Sequence, residues 1–382
     1  MPWKTMDVRE QRVRFVVAAF RREQPLRSLC QEFGISRATG YVWLRRYREQ
    51  GVNGIAERSR RPLRTPTRTA TDIEQQVVEA RCRYPDWGAR KLRIVLSRSG
   101  VELTHATIHR ILLRHDLIRE QDRHKPATQR FQRSAPNELW QMDFKGPKRW
   151  WQTGPLSVLD DHSRYLIALE ALGSMRTQAV RERLEAAFVS CGVPDAMLMD
   201  HGTPWWSMQS PGGMTALSLW LMKQGVRLHW SGIGHPQTQG KVERFHGELQ
   251  RALDLRPKPD MAPQAWLDAF RWEHNHVRPH EALDMQTPAR LWHSSARRYD
   301  PQPPPWEYPA GSKVLKVDCQ GKIDAWGQRW RIAVGLSGER VQLVRLGSRC
   351  IVYYCRTMIR ELDLESQRST IVERWLSDPD LP

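Results

Sequence analysis

The sequence predicts a multidomain α+β chain. It has two trihelical units in its first third, a βββ-α-β-α-β-α core in the middle and a small antiparallel β-barrel at its C-terminal end. Three observations carry this. Apolar residues recur at helical spacing between 13 and 112. Strand-like segments rich in apolar residues begin near 137 and alternate with helical ones. From 312 to 362, short alternating runs (VLKV, WRIAV, VQLVRL, IVYY) are separated by glycine-containing turns.

In the first unit (1–56), Val13, Val16, Val17 and Phe20 mark one apolar face at i, i+3, i+4, i+7. Pro25 opens a second helix that stops at Gly34, and Ser36 is a good N-cap for a third. That third helix bears Arg37, Arg45, Arg46 and Arg48. Helix, glycine-containing turn and arginine-rich helix form the helix-turn-helix pattern, whose second helix enters the DNA major groove. A small bundle with a basic solvent face has the same spacing.

Residues 57–70 form a basic linker, in which ERSRRPLRTPTRT holds five arginines and two prolines without apolar periodicity. Arg60, Arg61 and Arg64 suit a DNA minor groove on an extended chain; a solvated linker is the other reading. A second helix-turn-helix unit is expected over 71–120. In it Leu92, Val95 and Leu96 are apolar, Gly100 is a stop, and Thr104 caps a helix with Ile108, Ile111 and Leu112 on one face. His105 and His109 stand at i, i+4 on that helix. No cysteine pair at finger spacing accompanies them, which points away from zinc. A polar linker over 121–136 follows.

Charge follows the same division. The 382 residues hold 60 Lys+Arg and 42 Asp+Glu, a net +18, and residues 1–136 carry 29 basic against 14 acidic side chains. Such asymmetry favours a polyanion, because each neutralised phosphate releases condensed counterions. No apolar run reaches membrane-spanning length, and the N-terminus has no signal-peptide core, so a cytoplasmic protein working on nucleoid DNA is expected. The six cysteines contain no C-x-x-C pair, consistent with a reducing compartment.

Over 137–298 the elements run as strands 137–144, 156–160 and 165–169, helix 176–190, strand 195–199, helix 214–224, strand 226–230 and helix 238–254. This order matches the ribonuclease-H-like α/β fold. Residues 299–311 form a proline-rich linker, 312–363 the barrel, and 364–382 a tail with no signal beyond one possible helical turn.

Three carboxylates stand out by placement. Asp143 lies in the first strand, on the side opposite Met142 and Phe144 and shared with Gln141. Asp200 ends the fourth strand, where a chain leaving a sheet builds a site. Glu243 begins the last core helix. A central strand, a neighbouring strand end and a facing helix bring such groups together, and hard oxygen ligands hold Mg²⁺ or Mn²⁺. Two ions about 3.5–4 Å apart suit in-line phosphodiester displacement. Asp160 and Asp161 are a rival pair, but neighbours on a strand face opposite ways. Asp161 is therefore expected to be structural, paired with Arg164.

Several stretches together resemble the DDE-type insertion-sequence transposases, which share a catalytic core with retroviral integrases. They are Trp140-Gln-Met-Asp143, Val158-Leu-Asp-Asp161-His-Ser-Arg164-Tyr165, Asp200-His-Gly-Thr-Pro204-Trp205, His235-Pro-Gln-Thr-Gln-Gly-Lys241-Val-Glu243-Arg-Phe and Asn275-His-Val-Arg278-Pro279-His280. The resemblance implies Asp143, Asp200 and Glu243 as catalytic and metal-binding triad. It also implies Lys241 as a phosphate contact, with a surface lysine the alternative. The 42 residues between Asp200 and Glu243 exceed what is common in the family, and the excess falls in Trp205–Gly213. His201 replaces a frequent asparagine. Asn275–His280 is a family signature expected to pack or cap.

Among 17 tryptophans, Trp140, Trp150, Trp151, Trp205, Trp206, Trp220 and Trp230 fall in the core. Most are expected to pack; Trp205 and Trp206 are the candidates for stacking on unpaired bases. No His-x-x-Arg exists, which excludes the tyrosine-recombinase signature, and no phosphate loop exists, so no ATP dependence of that kind is expected. The expected activity is end cleavage and joining at terminal inverted repeats, by a multimer on double-stranded DNA. The competing readings are an inactive DNA-binding regulator of transposition and a structure-directed nuclease of the same fold.

Overall fold

The structure is a computed structural model that describes residues 7–22, 24–56, 68–118, 132–146, 154–207, 213–231, 240–256 and 260–371. Two compact units divide the chain, Met1–Thr69 and Ala70–Pro382.

The first unit contains α1 (Val8–Arg21), α2 (Leu26–Glu32) and α3 (Arg37–Gln50), closed by a 3-10 turn at Gly51–Ile55. Phe15, Val16, Leu29, Cys30 and Leu44 form its core. As the sequence predicts, Ser36 caps α3, its Oγ accepting from the Thr39 amide at 3.1 Å. Gly40 lets α3 approach closely, since a Cβ there would lie 2.8 Å from Cys30 Sγ and 3.0 Å from Phe15. The linker arginines Arg60, Arg61 and Arg64 lie outside the described residues.

The second unit opens with α4 (Thr71–Arg83), α5 (Ala89–Arg98) and α6 (His105–Arg114), packed around Val77, Trp87, Leu92, Ile108 and Ile111. It continues into a five-stranded sheet of β1 (Trp140–Phe144), β2 (Pro155–Asp160), β3 (Leu166–Ala171), β4 (Ala196–Met199) and β5 (Arg227–Trp230). The order is β3-β2-β1-β4-β5, antiparallel on the β2 side of β1 and parallel on the β4 side. This is the strand–helix order expected of the core. The helices α7 (Thr177–Cys191) and α8 (Ala216–Lys223) share one apolar cluster with Trp140, Met142 and Val158. The opposite face, from Leu159, Leu166 and Leu169, packs on α9 (Gly240–Leu255) and α10 (Pro263–His276).

Several elements were absent from the sequence reading, the following two among them. Helix α10 begins at Pro263 and presents Trp266, Leu267 and Phe270 to β3. Strand β12 (Arg368–Ile371) lies where no signal beyond a helical turn was found; it is short, half exposed and held by its ladder to β11 (Thr357–Asp363). The C-terminal module takes a more open form than the expected barrel. With β6 (Lys313–Lys316), β9 (Arg340–Leu346) and β10 (Arg349–Tyr354) these strands form a sheet in the order β12-β11-β10-β9-β6. Strands β7 (Lys322–Ala325) and β8 (Gln328–Arg331) pair separately, and among the described residues no ladder joins β12 to β6. Its core is continuous with that of the central sheet, through Val341, Val352 and Ile359. The Leu228 amide of edge strand β5 donates to Thr357 Oγ1 at 3.1 Å.

Candidate active site

The period of two in Trp140–Phe144 decides where Asp143 points. Trp140 and Met142 join the α7–α8 cluster, so Gln141 and Asp143 face α9. The Val242 amide at the start of α9 donates to Gln141 Oε1 at 3.3 Å, which sets Glu243 over the strand. One turn on, His246 places Nδ1 3.6 Å from Asp143 Oδ2 and Nε2 3.0 Å from Ser157 Oγ, the residue opposite Asp143 on β2.

Asp200 follows the last residue of β4, beside the first strand. Its Oδ1 accepts from the Gly202 amide at 2.9 Å and from the Trp205 indole at 2.8 Å. Gly202 is needed for this turn, because a Cβ there would stand 2.8 Å from Asp200 Oδ1. Trp205 in turn stacks on Phe144, with ring centroids 5.6 Å apart and planes at 11°. The residue after Asp143 is thus tied to Asp200 through one aromatic pair.

The electrostatics record the convergence. Burial pushes the Asp143 carboxyl up to about 7; the charges of Asp200 and, less strongly, Glu243 add to this, and a backbone hydrogen bond from Phe144 opposes it. Burial, reinforced by Lys145, pushes His246 down to about 3, so it meets Asp143 as a neutral imidazole. Among the described residues no three His, Cys, Asp or Glu side chains are already drawn into a metal-binding cluster. Asp143, Asp200 and Glu243 offer carboxylate oxygens, the donor chemistry that fits a hard divalent cation.

Asp161 is structural, as expected, though with a different partner. Asp161 is fully buried and pairs with Lys241, Nζ to Oδ1 at 2.5 Å, instead of with Arg164. It also accepts from Gln141 Nε2 and from the Arg133 amide, both at 2.8 Å. Lys241, expected on a phosphate, is in this structure engaged with Asp161. Asp160 closes the turn into β3, accepting from the Asn137 and Ser163 amides at 2.7 Å each. Trp205 and Trp206 are both buried, which removes them from base stacking in this conformation; Trp150 and Trp151 lie outside the described residues. The sequence reading missed His246 and the structural role of Trp205. His246 was visible as i+3 from Glu243 on the same helix face.

On α3, Arg37, Arg45 and Arg48 are exposed, whereas Arg46 is half-buried with its guanidinium 4.9 Å from the Trp43 ring centre. The signature Asn275–His280 packs and caps, as expected. Asn275 pairs with the backbone of Leu166 in both directions, at 2.8 and 3.0 Å, and Arg278 is buried against Asp86 of the second trihelical unit at 2.9 Å.

Family models described as integrase core domains match residues 133–236 and 224–288, and so span all three carboxylates. Over residues 133–288 the chain is similar to integrase core domains. A helix-turn-helix domain model matches 11–62 and a homeodomain-like domain model 39–112, ahead of that core. Among curated relatives, an insertion element IS407 protein of Burkholderia multivorans is 26% identical over 214 residues, covering 54% of this chain and 75% of that one. The transposase for transposon Tn552 of Staphylococcus aureus is 24% identical over 266 residues, 58% of this chain. The chain spans about half of that relative's length (51%). The catalytic core domain of HTLV-2 integrase, solved in complex with magnesium, overlays at a TM-score of 0.34 and 15% identity, covering 42% of this chain and 99% of that one. By these family models and curated relatives, the chain is related to insertion-sequence transposases with an integrase-like catalytic core. No described helix of the chain is long and apolar enough to cross a membrane.

Proposed function

We propose that the protein is a DNA transposase that binds the terminal inverted repeats of an insertion sequence, cleaves the phosphodiester at each end and joins the 3′-hydroxyl ends to target DNA. The observation that supports this is the integrase-core match across Asp143, Asp200 and Glu243, with the charges of Asp200 and Glu243 adding to the burial that raises the Asp143 carboxyl. These three are the residues that would hold Mg²⁺ or Mn²⁺. When bound, a pair of such ions stabilises the attacking and leaving oxygens of an in-line displacement.

The chain's own residues prepare the site. Trp205 and Gly202 fix the Asp200 carboxylate, and neutral His246, bonded to Ser157, stands beside Asp143. In joining, a bond forms between the element's 3′-oxygen and a target phosphorus while that phosphorus loses its original 3′-oxygen partner. The attacking hydroxyl gives up its proton to solvent and the departing target 3′-oxygen takes one up to leave as a free 3′-hydroxyl; the number of phosphodiester bonds is unchanged, so no ATP is required.

Helices α3 and α6 are the proposed DNA readers, with Arg37, Arg45, Arg46 and Arg48 on the first and Arg60, Arg61 and Arg64 in the basic linker. Joining two ends calls for self-association on DNA, and the protein acts in the cytoplasm, on the nucleoid. Retention of all three carboxylates argues against an inactive regulator, and two reading units argue against a structure-directed nuclease. The test combines purified full-length protein, Mg²⁺, labelled terminal-repeat duplex and a target plasmid. Wild type is expected to join ends and Asp143→Asn to join none; equal joining by both overturns the reading. Changing Arg37, Arg45 and Arg46 to Ala is expected to abolish protection of the terminal repeats.

A further inference from the structure

The second trihelical unit and the integrase core enclose a cleft of about 470 Å³. One wall is the start of α5, at Gly88 and Arg90, with the exposed face of α6, at His105 and His109; the other holds Arg244 of α9, with Glu281 beside it. Arg244 follows Glu243 directly on α9.

Its walls are held in register by buried charge. Asp86, just ahead of α5, is met by Arg278 at 2.9 Å and by Arg256 at 2.7 Å. Arg278 also reaches Glu248 of α9 at 3.2 Å, and Lys91 of α5 reaches the same carboxylate at 3.8 Å. On the exposed edge, Arg98 donates to the Val277 carbonyl at 2.9 Å. Breaking such a buried network leaves uncompensated charge, so the cleft does not open by swinging the unit away.

The lining is built for an anion. The side chains of His105, His109 and Arg244 make no hydrogen bond or ion pair to other described residues, yet all three are exposed in one concavity. Gly88, the N-cap of α5, offers no side-chain cap, leaving the helix's first amides and the positive end of its dipole available. The only acid in the lining, Glu281, stands 3.8 Å from Arg90, an exposed pair of little worth that a phosphate can displace.

We propose that this cleft binds the sugar–phosphate backbone of duplex DNA, with Arg90 and Arg244 each on a phosphate and His105 and His109 of α6 along the same strand. DNA read by α6 then passes beside Glu243 of the same chain, so reading and cutting are coupled through a fixed groove instead of a flexible tether. The assignment of DNA as ligand rests on the function proposed above.

The test measures duplex affinity of the full chain in EDTA across a salt series, with terminal-repeat and random duplexes. At about 0.9 of log-log slope per phosphate, Arg90→Ala/Arg244→Ala is expected to make both slopes shallower by about two. Arg90→Lys/Arg244→Lys is expected to retain the wild-type slopes. Unchanged slopes in a folded Ala double variant overturn the proposal, as does a Lys variant that behaves like the Ala one, since charge would then not be the cause. The metal-free readout separates this from end joining. Slopes that shift while no ends are joined leave the groove standing and remove the transposase reading; joined ends with unshifted slopes do the reverse.

Discussion

The indole N–H of Trp205 donates to Asp200 Oδ1 at 2.8 Å while the Trp205 ring, 1% exposed, stacks on Phe144, the residue after Asp143. One side chain therefore fixes the spacing between two of the three carboxylates. Trp205→Phe keeps the stack and removes the hydrogen bond. Outer-shell changes of this kind lower metal affinity or activity about 10- to 100-fold. End joining and Mn²⁺ affinity are expected to fall together in that range, while duplex binding in EDTA stays at wild type. Loss of duplex binding would show that Trp205 acts on the fold as a whole.

The raised pKa of Asp143 makes a prediction about stability. A carboxyl shifted from its ordinary value near 4 to about 7 disfavours the folded, metal-free state increasingly as pH rises through that window, and the penalty is full above it. Three units correspond to at most about 4 kcal/mol. Asp143→Asn is therefore expected to raise the melting temperature of the metal-free protein at pH 8 and to leave it unchanged below pH 4. Mn²⁺ at pH 8 is expected to stabilise wild type more than the variant. A variant equally displaced at both pH values would place the effect in packing instead.

How much of this was legible before the structure follows from the range of each interaction. The face of Asp143 was legible, because strand alternation is a local property and Trp140, Met142 and Phe144 declare the apolar side. The cap at Ser36 was legible for the same reason. The roles of Trp205 and Lys241 were not. Trp205 sits in a stretch with glycine and proline that reads as exposed loop, and only its stack on Phe144, brought near by the parallel β1–β4 pairing, buries it. Lys241 meets Asp161 across 80 residues, a pairing that no spacing rule anticipates. Strand β12 depends on the ladder to β11 more than on its own apolar content.

Lys241 is the case in which the two roles can be separated experimentally. Burial pushes its ammonium down to about 8, against the pull of Asp161. Lys241→Met leaves the fully buried Asp161 carboxylate unpaired, a loss of about 3–5 kcal/mol. Adding Asp161→Asn is expected to recover much of it in a double-mutant cycle read by denaturant unfolding. If the lysine also binds a phosphate, the recovered double variant will show a salt slope for duplex binding shallower by about one. A brace alone leaves the slope where it was.

Arg278 is predicted to hold the second trihelical unit on the core. It is 2% exposed and joins Asp86 on one side to Glu248 on the other. Burial raises the Glu248 carboxyl, but Arg278 and then Lys91 outweigh it and hold the group well below the usual carboxylate range. A depressed carboxylate contributes stability that is complete above its unfolded pKa, about 4.3, and is lost as pH falls through the folded value. The contribution of Glu248 to docking is therefore expected to weaken in acid. Arg278→Ala leaves two buried carboxylates short of a partner and is expected to cost about 3–5 kcal/mol. Lys at this position supplies one compact charge where a planar fork spans two acids, so Arg278→Lys restores only part of the loss. Hydrogen exchange locates the effect. Amides of α4, α5 and α6 should lose protection together in Arg278→Ala, ahead of those in β1, β2 and β4. Uniform loss across the sheet would mean that the network stabilises the core itself and that docking is secured elsewhere.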